Sequence, residues 1–238
     1  MIKLFFSFFL IIHILGFFYF QSDRRSGKYT YIVRNSFIYL LISLFFLIPF
    51  YSSPLLISVF LLSILHFVIE SVNYLCKKRQ TASLFVTEQL IYLGFISIVA
   101  SILIYLDYRL ELLPPFNTFL SKITINPDHL LTWIGLLLIA IKPANVTIKQ
   151  LLAKYKPDHE ESVSYNQIKA GALIGTLERI IILLLISVGQ YSAIGLVLTA
   201  KSVARYNKIS EDKAFAEYYL IGSLFSTLYA IGAYFIFI

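Results

Sequence analysis

Four carboxylates sit inside apolar segments of this chain: Glu70, Glu88, Glu178 and Glu217. A charge placed in hydrocarbon costs about 2.5–3.5 kcal/mol or more. Such groups therefore pair with cations, or line a watered cavity where they bind or move solutes, ions or protons. Glu178-Arg179 is the sharpest of these signals. The two side chains leave a helix about 100° apart and reach different neighbours. Gly171 and Gly175 precede Glu178 on the same face, so another helix is expected to approach closely beside the acid. Glu178 then needs a cation, and Lys201, Arg205 or Arg179 itself can serve. The alternative is a buried ion-pair network that only fixes packing.

A second group lies earlier in the chain. His66 and Glu70 are spaced i, i+4 and share a helix face. Such a pair can tie neighbouring helices together, supply two ligands to a metal, or act as a base with its orienting group. Adding His13 and Glu88 would complete a shell suited to a hard or borderline divalent metal. Gln21, Gln89, Gln190 and Glu217 extend the polar set. No glycine-rich phosphate loop, G-x-S-x-G or H-E-x-x-H motif is present.

The elements that must position these groups are membrane helices. The chain has 238 residues, 58% hydrophobic and only 14% charged, with a mean hydropathy of +0.79. A soluble domain is about 25% charged. Eight apolar segments are read: Lys3–Phe20, Phe37–Phe50, Pro54–Cys76, Ser83–Leu106, His129–Gln150, Gln167–Gln190, Tyr191–Arg205 and Glu211–Ile238. The expected fold is an all-α polytopic transmembrane bundle of eight spans, the second and seventh short, in one integral membrane domain over residues 1–238. The first segment lacks a small-residue cleavage site and reads as a retained helix rather than a signal peptide. Pro114-Pro115 and Asn126-Pro127 punctuate a loop in which Phe116–Leu120 can lie on the membrane surface. Ser210 reads as the N-cap of the last helix, and Lys142-Pro143 as a kink or helix end. Gly222, Ser226 and Ala230 form a four-residue packing stripe. Cys76 stands alone, so no intrachain disulfide can form.

The net charge of +7 does not point to nucleic acid, because the charges are divided among short loops. Sixteen of the twenty Lys and Arg residues fall on one side of an eight-span topology. The positive-inside rule puts that side in the cytoplasm and both termini outside. With this orientation most polar residues lie between the midplane and the cytoplasmic surface, as a vestibule open to the cytoplasm. The expected partner is the lipid bilayer, with a homo-oligomer or a membrane partner also open.

Several stretches resemble a bacterial membrane-protein family known by a domain-of-unknown-function label, whose members sometimes occur beside SatD-type proteins. The first are His13 to Gln21, His66-Phe-Val-Ile-Glu70 and Glu88-Gln89. A C-terminal set resembles its longer members: Gly171 to Arg179, Gly189 to Gly195, Ala200 to Tyr206 and Glu217 to Gly222. The family pattern has Asp where this chain has Phe17, His where it has Tyr92, and Asp in place of Glu70 and Glu88. The resemblance therefore implies that any metal site built on those positions is incomplete here, and it carries no established activity. Three readings follow. A small solute, ion or proton is bound or translocated, with Glu178 as central acid. Or the chain is a membrane-embedded metal-dependent hydrolase using His13, His66, Glu70 and Glu88. Or it is a non-catalytic interaction or accessory protein of the bacterial inner membrane.

Overall fold

The computed structural model describes residues 2–21, 29–76, 81–122, 126–155 and 165–238, and among them there is helix and no strand. The helices are α1 (Ile2–Ile14), α2 (Tyr29–Leu47), α3 (Ser53–Leu75), α4 (Ala82–Tyr105), α5 (Pro114–Lys122), α6 (Pro127–Leu152), α7 (Tyr165–Ser187), α8 (Tyr191–Val203), α9 (Tyr206–Glu211) and α10 (Lys213–Phe237). Six are long and apolar enough to cross a membrane: α2 with its 3-10 extension to Phe50, α3, α4, α6, α7 and α10. Many large apolar side chains on them point outward, among them Phe45, Leu90, Leu184 and Phe235. A multi-pass membrane protein is the arrangement that accounts for such surfaces.

The expectation that the second segment is short is corrected. Its helix begins at Tyr29, eight residues before Phe37. Arg34, Asn35 and Ser36 read as an interruption, but Asn35 and Ser36 are buried, and the Arg34 guanidinium lies 4.6 Å from the Tyr31 ring centre. Polar residues that turn inward or lie along an aromatic ring do not end a helix. The seventh segment is short, 13 residues over Tyr191–Val203. At 1.5 Å per residue it reaches about 20 Å.

The chain divides into two compact units, Met1–Leu138 and Ile139–Ile238, and α6 runs through the boundary. In the first unit α1 is enclosed by its neighbours: Phe5, Phe8, Phe9, Ile11, Ile12 and Ile14 are all almost fully buried. A helix that is apolar on every face is a core helix. It leads into a π-helical stretch, Leu15–Tyr19. Tyr19 donates its hydroxyl to the Leu138 carbonyl at 2.9 Å. Pro114 opens α5, a nine-residue amphipathic helix that covers the Phe116–Leu120 stretch expected at a membrane surface.

In the second unit α7 packs on α10 through Ile182, Ile186 and Ala230. The small-residue stripe of α10 is a packing face: Ser226 and Ala230 are buried, and a Cβ on Gly222 would stand 3.2 Å from Leu152 Cδ1. Lys142-Pro143 does not end its helix, because α6 continues to Leu152.

The N-cap of α10 is Asp212, not Ser210. The Asp212 carboxylate accepts the Phe215 N–H at 3.0 Å, whereas Ser210 Oγ donates back to the Asn207 carbonyl at 2.9 Å. Asp212→Ala should therefore cost about 1 kcal/mol of stability and Ser210→Ala close to nothing. Melting temperatures of the detergent-solubilised variants would check this, and equal losses would refute the assignment.

Candidate functional site

In the first unit, four helices bring two imidazoles and two phenols together. His13 comes from α1, Tyr39 from α2, His66 from α3 and Tyr92 from α4, and all four are buried. The arrangement is reciprocal. Tyr39 Oη lies 3.4 Å from His13 Nδ1, while the Tyr39 ring stacks on His66 at 4.3 Å and 11°. Tyr92 Oη lies 2.8 Å from His66 Nδ1, while the Tyr92 ring packs on His13 at 4.2 Å. Each tyrosine thus hydrogen-bonds one histidine and covers the other. His13 Nε2 is 3.3 Å from Gln89 Oε1. One tautomer satisfies His13 on both sides, with Nε2–H donating to Gln89 and Nδ1 accepting from Tyr39.

Close approach here depends on Gly16. An ideal Cβ on it would overlap Tyr39 Cδ2 and stand 2.8 Å from Cε2. Phe17 closes the knot, with its ring centre 5.2 Å from His13 and 6.1 Å from His66. The two departures from the family pattern, Phe17 and Tyr92, therefore face both imidazoles.

Two further polar pairs lie nearby in the chain, one from Gln21 just past the π-helical stretch to α3 and one from α3 to α4. Gln21 Nε2 donates to Glu70 Oε1 at 3.2 Å, and Asn73 Nδ2 donates to Glu88 Oε1 at 2.6 Å. Among the described residues, no three of His, Cys, Asp and Glu converge in a way that could hold a metal. A cavity of about 220 Å³ exists in this unit, but Leu4, Phe50, Leu110, Glu111, Asn117 and Asp128 line it, and none of the sequence-predicted residues does.

The second unit holds the Glu178-Arg179 pair, and the two side chains do part company as their helical spacing requires. Arg179 is 1% exposed. Its Nε donates to the Ala140 carbonyl at 2.7 Å, its Nη1 to Ser226 Oγ at 3.1 Å, and its Nη2 to Asn145 Oδ1 at 2.6 Å and Thr176 Oγ1 at 3.2 Å. Asn145 also donates to Thr176 Oγ1 at 3.1 Å. Each of these acceptors is neutral. Ala140 lies three residues before Pro143, whose missing N–H loosens the backbone ladder at this level of α6.

Gly175 has a different role from the one its spacing suggested. The atom nearest a Cβ there is Arg179 Nη1, at 3.3 Å. Long helical side chains lean toward the preceding turn, and Gly175 leaves room for this one. Gly171 has no neighbour within 4 Å among the described residues, so the stripe does not seat a second helix there.

Glu178 finds its cation in Lys201, with Nζ to Oε2 at 2.7 Å and side chains 10% and 18% exposed. Lys201 Nζ and Arg205 Cζ lie 5.3 and 5.8 Å from the Tyr219 ring centre. Two predicted members are not part of this constellation. Glu217 is exposed on α10, so it is not a buried acid. Gln190 is exposed at the start of α8, where its side chain makes no capping bond. Sequence reasoning missed Tyr39 and Asn145, and read Ser226 for packing but not as an acceptor for Arg179. Asn145 alone carried a readable signal, as a carboxamide inside an apolar helix.

Residues 5–119, just under half of the chain, match a family model described as "Protein of unknown function (DUF3307)". The matched range holds His13, His66, Glu88 and Tyr92 and ends before the Gly171–Gly222 motifs. No curated protein and no solved structure matches the chain. The first half is thus similar to a family of uncharacterised proteins, carried on a multi-pass helical membrane architecture.

Proposed function

We propose that this integral membrane protein binds or translocates a small solute, an ion or a proton through its intramembrane polar residues, with Glu178 as the central acid. The observation that carries this reading is the contrast between neighbours on α7. Arg179 is sealed and saturated by neutral acceptors, as a packing residue should be. The Glu178–Lys201 pair one residue away is a single contact between opposite charges, with 10% and 18% of the two side chains exposed. An ion pair held by one contact inside apolar helices can be opened by a competing ion or by protonation. The shorter helices α1 and α8 complete an eight-span topology in this reading. Its basic loops face the cytoplasm and both termini lie outside, in a bacterial inner membrane.

The metal-dependent hydrolase is not carried forward, because its ligands do not converge among the described residues. The non-catalytic accessory reading keeps one specific support: the His13–Tyr39–His66–Tyr92 knot is fully sealed, which suits packing better than traffic.

Proton flux into liposomes carrying the purified protein, driven by an imposed potential and read with a trapped pH dye, tests the proposal. Wild type should exceed empty liposomes, and Glu178→Gln, which keeps shape and loses charge, should lower the flux at least tenfold while melting as wild type does. Equal flux in the two proteins would remove Glu178 from the pathway. An unchanged flux joined to a lowered melting temperature would favour the accessory reading.

A further inference from the structure

The last helix, α10, carries two buried hydroxyls without partners among the described residues, one of them on the ring that Lys201 approaches. Tyr219 and Ser223 are one turn apart on α10 and share a face. Their hydroxyl oxygens are both buried and have no hydrogen-bond partner among the described residues. A buried hydroxyl without a partner costs about 1–3 kcal/mol, so two on one face call for an explanation.

The charged groups around them are mostly cations. Lys201 and Arg205 both approach the Tyr219 ring, and Tyr219 stacks on Phe215 at 6.0 Å. Lys208 Nζ lies 4.0 Å from the Phe215 ring centre. Three cations thus follow a two-ring aromatic rail where α8, α9 and α10 meet. Among the described residues, the acids here are engaged elsewhere or exposed. Glu178 engages Lys201 alone, Asp212 is occupied in capping Phe215, and Glu211 and Glu217 are exposed. Arg205 makes no ion pair among the described residues.

We infer that Lys201, Arg205, Tyr219 and Ser223 form a site for a phosphate oxyanion, supplied by the headgroup of an acidic phospholipid. A phosphate can accept from both hydroxyls, and guanidinium and ammonium groups supply charge-assisted bonds to it. Position favours a lipid as the source. Arg205 stands between the end of α8 and the start of α9, at a helix end where headgroups lie. Leu196 and Val203 on α8 and Leu220 and Leu224 on α10 offer exposed apolar surface to acyl chains on the same two helices. The site does not depend on translocation and stands if that reading fails.

The test uses the full chain in mild detergent. Phosphatidylglycerol, phosphatidylcholine and inorganic phosphate are added separately, and melting temperature and lipid retention in native mass spectrometry are read. Phosphatidylglycerol should raise the melting temperature by roughly 5 °C near saturation and remain bound where phosphatidylcholine is lost. Arg205→Gln should weaken retention about five- to tenfold. Tyr219→Phe, which keeps the ring and removes only the hydroxyl, should weaken it by a smaller factor. Lys213→Gln, at an exposed position on the same helix, should leave it unchanged. If inorganic phosphate stabilises wild type as well as the lipid does, and Arg205→Gln abolishes the effect, the oxyanion site holds and its ligand comes from solution. Equal losses in Arg205→Gln and Lys213→Gln would mean diffuse attraction and overturn the proposal. So would no preference for phosphatidylglycerol together with no effect of inorganic phosphate.

Discussion

Arg179→Lys lowers stability by about 2–4 kcal/mol, although it preserves the charge. The guanidinium spends three nitrogens on four acceptors. A lysine ammonium is a point donor on a differently shaped stem and cannot span Ala140, Asn145 and Ser226 at once. Breaking one partner of a buried charged network in a soluble protein costs about 3–5 kcal/mol. Single polar contacts between membrane helices average nearer 0.6 kcal/mol. Four contacts at the membrane value, with a buried charge left partly unmet, give the range stated. A melting-temperature fall of roughly 5–10 °C in detergent is the readout. Arg179→Met should cost a similar amount for a different reason: it removes the buried charge, but Asn145 Oδ1 and Ser226 Oγ lose their donor. A lysine variant that melts as wild type does would mean that the charge matters and the fork does not.

Gly16→Ala is the second large effect, and its cause is steric. The added carbon would overlap Tyr39 Cδ2 and stand 2.8 Å from Cε2, well inside van der Waals contact. Tyr39 cannot swing away freely, because its ring is stacked on His66 and its hydroxyl faces His13. Overpacking of this kind costs about 1–3 kcal/mol, and Gly16→Val should cost more. Gly94 on α4 is the control, since no atom lies within 4 Å of a Cβ placed there. Gly94→Ala should be neutral, or stabilising by about 0.5–1 kcal/mol, through helix propensity alone. The double change Gly16→Ala with Tyr39→Leu should recover part of the loss, a coupling that separates a clash from a general helix defect. If the two glycine substitutions shift the melting temperature alike, the Tyr39 contact is not what Gly16 provides.

Helix existence was legible in this chain because hydrocarbon demands long apolar runs, and α3, α4, α6 and α10 match their expected segments within a few residues. The Glu178–Lys201 pairing was legible as one of three options, because a buried acid needs a cation. Facing was not legible. In water, the apolar stripe of a helix marks its buried side, whereas here lipid-facing and core-facing positions are both apolar, so periodicity separates them poorly. That is why Tyr39, one of 17 tyrosines, gave no sign that it enters a histidine knot, and why Glu217 was placed inward. Arg179 shows a second limit. Its partners are a backbone carbonyl and neutral side chains from two other helices, and no local spacing encodes that. The Asp212 cap was missed because two good capping residues, Ser210 and Asp212, stand two positions apart and only the path of the backbone decides between them.

The enclosure of α1 has a consequence for how the first unit is made. The helix α1 precedes α2, α3 and α4 in the chain, so its final surroundings do not exist when it is synthesised. Until α2, α3 and α4 arrive, lipid must stand in for them. For α1 this exchange is nearly free, since Phe, Ile and Leu meet acyl chains as readily as they meet each other. His13 and Ser7 are the exceptions, and His13 can find its lasting partners only after Tyr39 and Gln89 have been synthesised. Assembly of this unit is therefore completed around α1, and deleting residues 2–14 would remove its centre rather than an edge.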